Sequence, residues 1–298
     1  MADRLTDAHA LARVRAALLA WYATARRDFP WRRTNDPYAV LVSEVMLQQT
    51  RALRVAERFP TFMERFPTAE ALADASEGQV LAAWSGLGYN RRALALRRAA
   101  TGIVARGWPP DVAGLERLPG VGPYTARAVA SLAFGEPLGV VDTNVRRWLI
   151  RRFDLPANTR PPDLQRLADA LAAAGDRADA AAWTHATMEF GAGICSRTAR
   201  CDVCPISEGC PSRGAAAAVP VPRQAAFAGS DRELRGALLR ALAAAPDHAL
   251  IDAAARGAIG HGAYPRILAG LERDGLVHRS GRRLLLGGRA EPPATIGP

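Results

Sequence analysis

Four cysteines lie within sixteen residues of this chain, and they are its only cysteines. They are Cys195, Cys201, Cys204 and Cys210, spaced C-x5-C-x2-C-x5-C. Thiolates this close in sequence can surround one metal centre, and a soft set of four suits an iron–sulfur cluster or zinc. Spacing alone does not exclude zinc, and two disulfides are a further alternative. A reducing cytoplasm, where disulfides are rare, is the natural compartment for clustered thiolates.

Two carboxylates and a glycine turn are the other candidates for chemistry. Glu44 lies in a predicted helix, off its apolar stripe, and the pattern alone predicts a solvated acid. Asp142 follows an apolar stretch and precedes a predicted helix, which is typical of an N-cap. The segment 118–122 (LPGVG) links two predicted helices, and its glycines let backbone N–H groups approach a phosphate. An ordinary turn between packed helices fits that segment equally well.

The charge of the chain indicates a polyanionic partner. Its 298 residues include 39 Lys+Arg and 29 Asp+Glu, for a net charge of +10. This balance is typical of nucleic-acid-binding proteins, although a merely soluble basic protein is the alternative. The sequence contains no lysine, so no side-chain amine is available to form a Schiff base.

The elements that must position these residues are predicted to be mostly helical. Up to residue 213, apolar residues recur every three or four positions, breaks fall at Gly and Pro, and no alternating strand is convincing. Trp84, Trp148 and Trp183 are expected in the core. The predicted helices are 10–22, 38–54, 69–75, 77–84, 91–106, 124–134, 143–153, 162–174 and 178–190.

The composition changes after Cys210. Residues 214–230 are rich in Ala, Pro and Gly and predict a linker. Ser230 and Glu233 have the spacing of a capping box that opens a helix. A helix over 266–274 and a hairpin of strands 276–279 and 282–286 follow. We therefore expect a winged-helix-like module over 231–289 and a disordered tail over 290–298.

No targeting or membrane segment is predicted. The apolar stretch 16–23 is short and is preceded by acidic residues. No run approaches the roughly 20 apolar residues that a spanning helix needs. We expect a cytoplasmic protein that acts as a monomer and does not contact a membrane.

Seven segments in one order resemble the helix-hairpin-helix DNA glycosylases with an iron–sulfur cluster, and most closely the adenine DNA glycosylase (MutY) family. They lie within about residues 10–212 and are 29–32 (FPWR), 43–50 (SEVMLQQT), 86–89 (GLGY), 118–125 (LPGVGPYT), 141–145 (VDTNV), 188–191 (MEFG) and the cysteine run. The resemblance implies a two-lobed helix-hairpin-helix glycosylase domain over 1–213, with a [4Fe–4S] loop at 195–210.

The resemblance also implies a base-excision-repair enzyme that hydrolyses the N-glycosidic bond of adenine mispaired with 8-oxoguanine or guanine. Glu44 would protonate the extruded purine at N7, and Asp142 would stabilise the positive charge that develops at C1′. Whether Asp142 also bonds to C1′ stays open. Tyr124 stands where endonuclease III-like enzymes carry a catalytic lysine, so we expect base removal without efficient lyase activity.

The same resemblance implies a base pocket and a DNA surface. The base-pocket residues are Trp31, Arg32, Asn144 and Glu189. The residues that would read or wedge beside the opposite base are Gln49, Thr50, Leu87 and Tyr89. Backbone contacts would come from Gly120 and Gly122, with a monovalent cation at the hairpin carbonyls, and from Arg197 and Arg200. The implied partner is double-stranded DNA containing mismatches or oxidised guanine, and the implied location is the nucleoid.

The chain departs from the family's pattern in three places. The first cysteine gap is five residues where the family usually has six, and Asn90 stands where it typically has a second Tyr. The C-terminal module replaces the small β-rich domain that recognises 8-oxoguanine in typical members. That module could pack or dimerise, or it could add DNA contacts. The candidate contacts are Arg266, Arg273, Arg279, Arg282 and Arg283.

Two rival functions stay open. A thymine or uracil mismatch glycosylase would share the hairpin, the cluster, Tyr124 and Asp142, although residues 48–50 (QQT) favour adenine removal. A non-catalytic iron–sulfur protein that binds DNA or senses redox state would be marked by the loss of one carboxylate, and both are present.

Overall fold

The computed structural model of the chain describes residues 8–214 and 227–288. It is mostly helical, as predicted. The helices are α1 (Ala8–Ala25), α2 (Pro37–Leu47), α3 (Ala52–Arg65), α4 (Ala69–Asp74), α5 (Glu77–Ala83), α6 (Arg91–Arg106), α7 (Val112–Glu116), α8 (Pro123–Phe134), α9 (Thr143–Arg152), α10 (Pro161–Ala173), α11 (Ala180–Gly193), α12 (Asp231–Ala244), α13 (Asp252–Gly257) and α14 (Tyr264–Arg273). The strands are β1 (Ala249–Ile251), β2 (Val277–Ser280) and β3 (Arg283–Leu286).

The chain divides into two compact units. The first comprises Met1–Glu44, Pro109–Arg117 and Val121–Pro222, and the second comprises Val45–Trp108, Leu118–Gly120 and Arg223–Pro298. The domain bounds expected from the sequence stay a prediction. Most of the expected linker and all of the expected tail over 290–298 lie outside the described residues.

The core of the first unit is built from helices α1, α9, α10 and α11. Their apolar stripes supply Leu18, Leu149 and Leu171, all fully buried, together with Trp148 and Phe190 at 1% exposure. The rings of Trp148 and Phe190 meet edge to face with centroids 5.8 Å apart, an arrangement that aromatic pairs prefer. This core fixes the start of α9 and the end of α11, which carry candidate site residues.

Helix α2 ends earlier than the sequence predicted. The expected single helix over 38–54 is wrong, because α2 stops at Leu47 and α3 begins at Ala52. Between them Gln49 adopts a positive φ of 55°, a left-handed conformation that breaks a helix. The break places residues 48–50 on a turn.

The C-terminal module lies in the second unit and has the element order α12-β1-α13-α14-β2-β3. Its sheet is antiparallel with strand order β1-β3-β2, and Ala249 pairs with Leu285 while Val277 pairs with Leu286. This arrangement is consistent with the predicted winged-helix-like module. Strand β1, only three residues long, was not predicted.

The expected capping box at the start of α12 is wrong. The Ser230 side chain makes no cap hydrogen bond, and its hydroxyl donates to the Phe227 carbonyl at 2.6 Å. Glu233 Oε2 accepts instead from the backbone N–H of Gly229 at 2.6 Å. The helix start is therefore held by a bond to the residue before the expected cap.

Among the described residues, no helix has the length and apolar character to cross a membrane.

Candidate active site and cysteine loop

The carboxyl group of Glu44 is buried in the first unit. Residues 39–46 of α2 are buried on every face, and Glu44 is 3% exposed, so the solvated acid expected from the apolar pattern alone is wrong. Its pKa is raised from 4.5 to about 7, chiefly by burial; the hydrogen bond with Tyr124 lowers the pKa, the negative charge of Asp142 raises it, and Arg32 lowers it slightly. Within the described part of the chain, Glu44 Oε2 has no hydrogen-bond partner. Glu44 can therefore hold a proton near neutral pH.

Tyr124 lies beside this carboxyl group. It is the second residue of α8, after Pro123, and its hydroxyl donates to Met188 Sδ at 3.7 Å. Burial, followed by the negative charges of Glu44 and Asp142, raises the Tyr124 pKa well above its ordinary value. The phenol therefore stays neutral and acts as a hydrogen-bond donor.

Asp142 is the N-cap of α9, as predicted. Its Oδ1 accepts from the backbone N–H groups of Asn144 at 2.8 Å and Val145 at 2.6 Å. Its Oδ2 accepts from Asn144 Nδ2 at 2.8 Å. Three hydrogen bonds orient the carboxylate, and its charge acts on both Glu44 and Tyr124. The three candidate catalytic residues, Glu44, Tyr124 and Asp142, therefore lie close together, because the pKa values of Glu44 and Tyr124 each respond to the other two residues.

Glu189 on α11 is buried at 4% exposure and is satisfied by two arginines. Its Oε1 accepts from the backbone N–H of Arg27 at 3.0 Å and from Arg27 Nε at 2.6 Å. Its Oε2 accepts from Arg32 Nη1. Charge-assisted bonds of this kind are strong and directional, so the ion pairs hold Arg32 in place.

Trp31 and Arg32 line a cavity of about 360 Å³ together with Tyr22, Ser43 and His185. Trp31 is 5% exposed and stacks on Phe29 with centroids 4.7 Å apart. Of the predicted base-pocket residues, Arg32 and Glu189 are thus bonded together and Asn144 is bonded to Asp142.

A chain of hydrogen bonds joins Asp142 to the cysteine loop. Asn144 donates to Asp142, and Asn144 Oδ1 accepts from Arg147 Nη2 at 2.9 Å. Arg147 Nε donates to the Cys195 carbonyl at 2.9 Å, and Nη2 also donates to the Gly191 carbonyl. Arg147 is only 4% exposed, so the start of α9 and the beginning of the loop are held together by a buried guanidinium.

The four cysteine thiols line one cavity and form no disulfide. Burial raises the pKa of Cys195 and of Cys204, against smaller lowering effects of Arg151 and a backbone N–H respectively. The apolar side of the cavity is formed by Trp148, Phe190, Ile194 and Ile206.

Four thiols around one cavity are a soft donor set that suits an iron–sulfur cluster or a zinc ion.

The cavity also contains an unsatisfied donor. Trp148 lines it, and in the described part of the chain its buried indole Nε1–H has no hydrogen-bond partner. A buried donor without an acceptor is costly, and the sulfurs of an iron–sulfur cluster would supply one. Arg197 and Arg200, on the loop between Cys195 and Cys201, are exposed.

The second unit contains the residues expected beside the opposite base. Arg92 Nη1 donates to the carbonyls of Val45 at 2.8 Å, Met46 at 3.1 Å and Gln48, and Nη2 donates to Thr50 Oγ1 at 3.0 Å. Burial lowers the Arg92 pKa to about 10. This one guanidinium caps the end of α2 and fixes the turn that carries Gln49.

The segment 86–89 has mixed exposure. Tyr89 is 43% exposed with a positive φ of 47°, whereas Leu87 is 5% exposed. The Leu87 side chain is therefore buried in this structure, whereas the Tyr89 side chain is exposed enough to contact DNA.

The glycine turn has the geometry that its sequence predicted. Gly120 has a φ of 79°, and a Cβ there would lie 2.7 Å from Ala95 Cβ. Gly122 is the N-cap of α8, and a Cβ there would meet nothing within 4 Å. Space in front of the α8 N-terminus is therefore open to an anion. The Gly120 carbonyl accepts from Gln48 Nε2 at 3.3 Å.

Sequence reasoning missed Arg27, Arg92 and Arg147. Each of them donates hydrogen bonds to a group more than forty positions away in the sequence. A local sequence pattern does not predict contacts of this kind. One local pattern could have predicted part of this network. Arg147 follows Asn144 by three positions in a helix, and side chains at that spacing are neighbours on the helix surface.

Comparisons with known proteins identify the family of this chain. The sequence profile of the family "HhH-GPD superfamily base excision DNA repair protein" matches residues 42–173. An adenine DNA glycosylase of Mycobacterium tuberculosis is 45% identical over 238 residues, covering 76% of this chain and 78% of that protein. The chain belongs to the adenine DNA glycosylase family. The predicted resemblance is thereby confirmed.

Other relatives extend this family assignment. The human adenine DNA glycosylase is 39% identical over 216 residues, which span 67% of this chain and 39% of the human protein. A thermostable thymine-DNA glycosylase of known structure is 30% identical, with a TM-score of 0.62, and covers 69% of this chain and 98% of its own. Endonuclease III bound to DNA is 21% identical with a TM-score of 0.56 and shares the fold. The predicted helix-hairpin-helix glycosylase fold is confirmed.

Proposed function

We propose that this base-excision-repair DNA glycosylase removes adenine mispaired with 8-oxoguanine or guanine, using Glu44 as general acid and Asp142 as the anion beside the sugar. Membership of the adenine DNA glycosylase family makes it a hydrolase of N-glycosyl bonds. The proposed roles rest on one observation: the buried carboxyl group of Glu44 has a pKa of about 7 and lies close enough to Asp142 to feel its negative charge.

Glu44 supplies the proton. With a pKa of about 7, a substantial fraction of Glu44 is protonated at neutral pH while its conjugate base remains accessible, which is the balance that favours general acid catalysis. Its Oε2 has no partner among the described residues, so it can serve adenine N7. Protonation there draws electrons into the ring, and the C1′–N9 bond breaks with its electron pair going to the base.

Asp142 stabilises what remains of the sugar. Loss of the base leaves positive charge shared between C1′ and the ring oxygen, and a preorganised carboxylate lowers the energy of that state. Its orientation is fixed by Asn144 and Val145. Water then adds at C1′, its released proton returns to the Glu44 carboxylate, and an abasic site remains. The pair of one neutral and one charged carboxyl group follows the logic of glycoside hydrolysis.

Efficient strand cleavage by this kind of enzyme uses a side-chain amine, and this chain has none. Lyase chemistry passes through a Schiff base at C1′, and the sequence has no lysine. Tyr124 has a pKa raised far above neutrality, so it donates a hydrogen bond and does not act as a nucleophile. We propose that the enzyme is monofunctional.

The base pocket is proposed to be Trp31, Arg32, Asn144 and Glu189. The apolar face of Trp31 can pack against an extruded purine, while the Arg32–Glu189 ion pair fixes polar groups at its edge. Asn144 positions Asp142.

The cysteine loop is proposed to hold a [4Fe–4S] cluster through Cys195, Cys201, Cys204 and Cys210. The free thiols around one cavity and the unsatisfied indole N–H of Trp148 beside them support this cofactor. When bound, the cluster would be a structural centre. Arg197 and Arg200 are then proposed to face DNA phosphates.

The remaining DNA contacts are proposed from the turns of the chain. Gly120 and Gly122 would approach the DNA backbone, with a monovalent cation between the hairpin carbonyls and a phosphate. Gln49, Thr50, Leu87 and Tyr89 would lie beside the opposite base. We propose that the chain acts as a monomer on nucleoid DNA.

A thymine or uracil mismatch glycosylase is the second candidate. It is favoured by the 30% identity to a thymine-DNA glycosylase with the same fold. The family assignment and Gln48-Gln49-Thr50 favour adenine.

The deciding experiment compares release of base from labelled duplexes containing A·8-oxoguanine, A·G, T·G or U·G. We expect release from the two adenine duplexes only. Glu44→Gln and Asp142→Asn should each lower the single-turnover rate by about 100-fold or more. Release from the pyrimidine duplexes alone would establish the rival substrate, and binding without any release would establish a non-catalytic protein.

A further inference from the structure

A groove in the second unit is unusually rich in arginine. It has a volume of about 960 Å³, and the described residues that line it include seven arginines and one acidic residue, Asp274. Positive charges at this density repel one another. A polyanion in the groove would relieve that repulsion, and the positive potential would attract it.

One wall of the groove is α12, the first helix of the C-terminal module. Arg232, Arg235, Gly236, Leu239 and Arg240 recur every three or four positions, so they share one helix face. Arg232 and Arg240 are exposed, and the Arg232 guanidinium lies 6.0 Å from the centroid of the Phe227 ring. Arg235 forms an ion pair with Asp274. Two guanidinium groups on this face therefore reach solvent.

Another wall is formed by α3 and the start of α6. Arg54 and Arg58 lie one turn apart on α3, and both are exposed. Arg54 Nη1 donates to the Gly86 carbonyl at 2.9 Å. Arg91 is exposed and lies 3.9 Å from Asp274. The one carboxylate in the lining is thus shared by two arginines.

Exposed aromatic rings and a polar turn complete the groove. Tyr89 is 43% exposed and Phe227 is 57% exposed, and both line it together with Gln49. Arginines that follow a phosphate backbone, interleaved with aromatic faces on which bases stack, are the usual composition of a surface that binds a nucleic-acid strand.

We propose that this groove binds the DNA strand that carries the base opposite the excised adenine, and that the C-terminal module joins DNA binding through α12. The proposal rests on the proposed function, because Gln49 and Tyr89 are the residues proposed to lie beside that base. Arg232 and Arg240 would then bind phosphates of the strand that carries the opposite base.

The arginines that sequence analysis singled out in the module lie elsewhere. None of them lines the groove. Arg266 pairs with Asp231, Arg279 Nε lies 3.3 Å from Glu272, and Arg283 lies 3.7 Å from Asp247. A winged-helix module that bound DNA through α14 and the β2–β3 hairpin would use these residues instead, so the two arrangements make opposite predictions.

The first test measures affinity. The full chain is titrated by fluorescence anisotropy against a duplex with an uncleavable tetrahydrofuran abasic analogue opposite 8-oxoguanine. We expect Arg232→Ala/Arg240→Ala to raise Kd about tenfold and to reduce the slope of log K against log salt by about 1.8, the value for two lost phosphate contacts. Arg232→Lys/Arg240→Lys should recover most of the affinity, since it retains the charge.

The matched control is Arg273→Ala/Arg282→Ala, which removes two exposed arginines of the same module outside the groove. It should bind within about twofold of wild type. Wild-type affinity in the groove variant, or an equal loss in the control, would overturn the proposal.

Hydroxyl-radical footprinting identifies the strand. The groove variant should lose protection on the strand carrying 8-oxoguanine and keep it on the other strand, whereas loss on the other strand alone would overturn the proposal. Failure of the wild-type chain to release adenine would overturn the proposed function separately. The footprint would still report which strand the groove binds.

Discussion

Glu44 shows how one buried side chain can determine the chemistry of the site. Burial shifts its pKa to about 7, and the charge of Asp142 acts in the same direction. The enzyme therefore holds a neutral carboxylic acid at a pH where an exposed glutamate would be ionised. The same burial makes the ionised form costly to the folded state.

Glu44→Gln should change the pH dependence of stability. The folded pKa lies above the ordinary value of 4.5, so the folded state holds a proton that the unfolded chain loses first. Wild-type stability should therefore fall between about pH 4.5 and 7, by about 3 kcal/mol in total. Thermal unfolding at pH 5 and pH 8 should show the variant gaining stability relative to wild type at pH 8.

Glu57→Gln is the matched control for that experiment, because Glu57 is an exposed glutamate on α3. It should leave the pH dependence as in wild type. An identical response of the two variants would mean that the Glu44 carboxyl group is not buried in solution.

Trp148→Phe should alter the proposed cluster without emptying its cavity. The change removes the one buried indole N–H that lacks a partner among the described residues and keeps an aromatic ring against Phe190. Donors to cluster sulfur stabilise the reduced, more negative state, so the reduction potential should become more negative. Voltammetry of the purified protein measures it.

Trp183→Phe is the control, since Trp183 is also buried but does not line the cysteine cavity. Equal potentials in wild type and both variants would contradict the hydrogen bond. A colourless protein that contains zinc would contradict the cluster itself.

At the scale of elements, arginine side chains cap helix ends and hold loops that lie far from them in the sequence. Arg92 caps α2 and holds the 48–50 turn, and Arg147 ties the start of α9 to Cys195. Buried backbone carbonyls need donors, and here side chains from other segments supply them. The positions of Gln49 and Asp142 therefore depend on long-range contacts.

Arg92→Ala should lower the free energy of unfolding by about 3 kcal/mol, because several carbonyls lose their donor together. Denaturant unfolding measures the change. Arg91→Ala removes the neighbouring exposed arginine and should cost no more than about 0.5 kcal/mol. Equal losses would mean that Arg92 does not act as a cap.

These contacts explain which elements could be predicted from the sequence. Helix α6 (Arg91–Arg106) has the predicted bounds, and the Asp142 N-cap is confirmed, because both follow from local spacing. The break at Gln49 was not predicted, because the residue that fixes it lies 43 positions further along the chain. Strand β1 was missed because three residues carry no detectable alternation. For the site, the motifs indicated which residues to examine, while the burial of Glu44 became visible only in the packed unit.

At the scale of the whole molecule, composition restricts the reaction as strongly as the site does. A net charge of +10 carried entirely by arginine favours DNA phosphates. The same composition leaves the N-terminus as the one amine of the chain, because lysine is absent. The absence of lysine therefore supports the proposed base removal without efficient strand cleavage.

Borohydride should therefore trap no side-chain adduct with DNA. The chain is incubated with an A·8-oxoguanine duplex and borohydride, and covalent complexes are resolved on a denaturing gel. Any faint adduct should disappear after reductive methylation of the N-terminal amine. An adduct that persists after that treatment would contradict a monofunctional mechanism.

The central claim is that a protonated Glu44 drives release of adenine. Its most direct test is the single-turnover rate of adenine release from an A·8-oxoguanine duplex, measured from pH 5 to pH 9 for wild type and Glu44→Gln. The wild-type rate should be level below about pH 7 and fall about tenfold per pH unit above it, following loss of the proton, while Glu44→Gln is slow at every pH. A wild-type rate that rises through pH 7, or a variant as fast as wild type, would contradict the account.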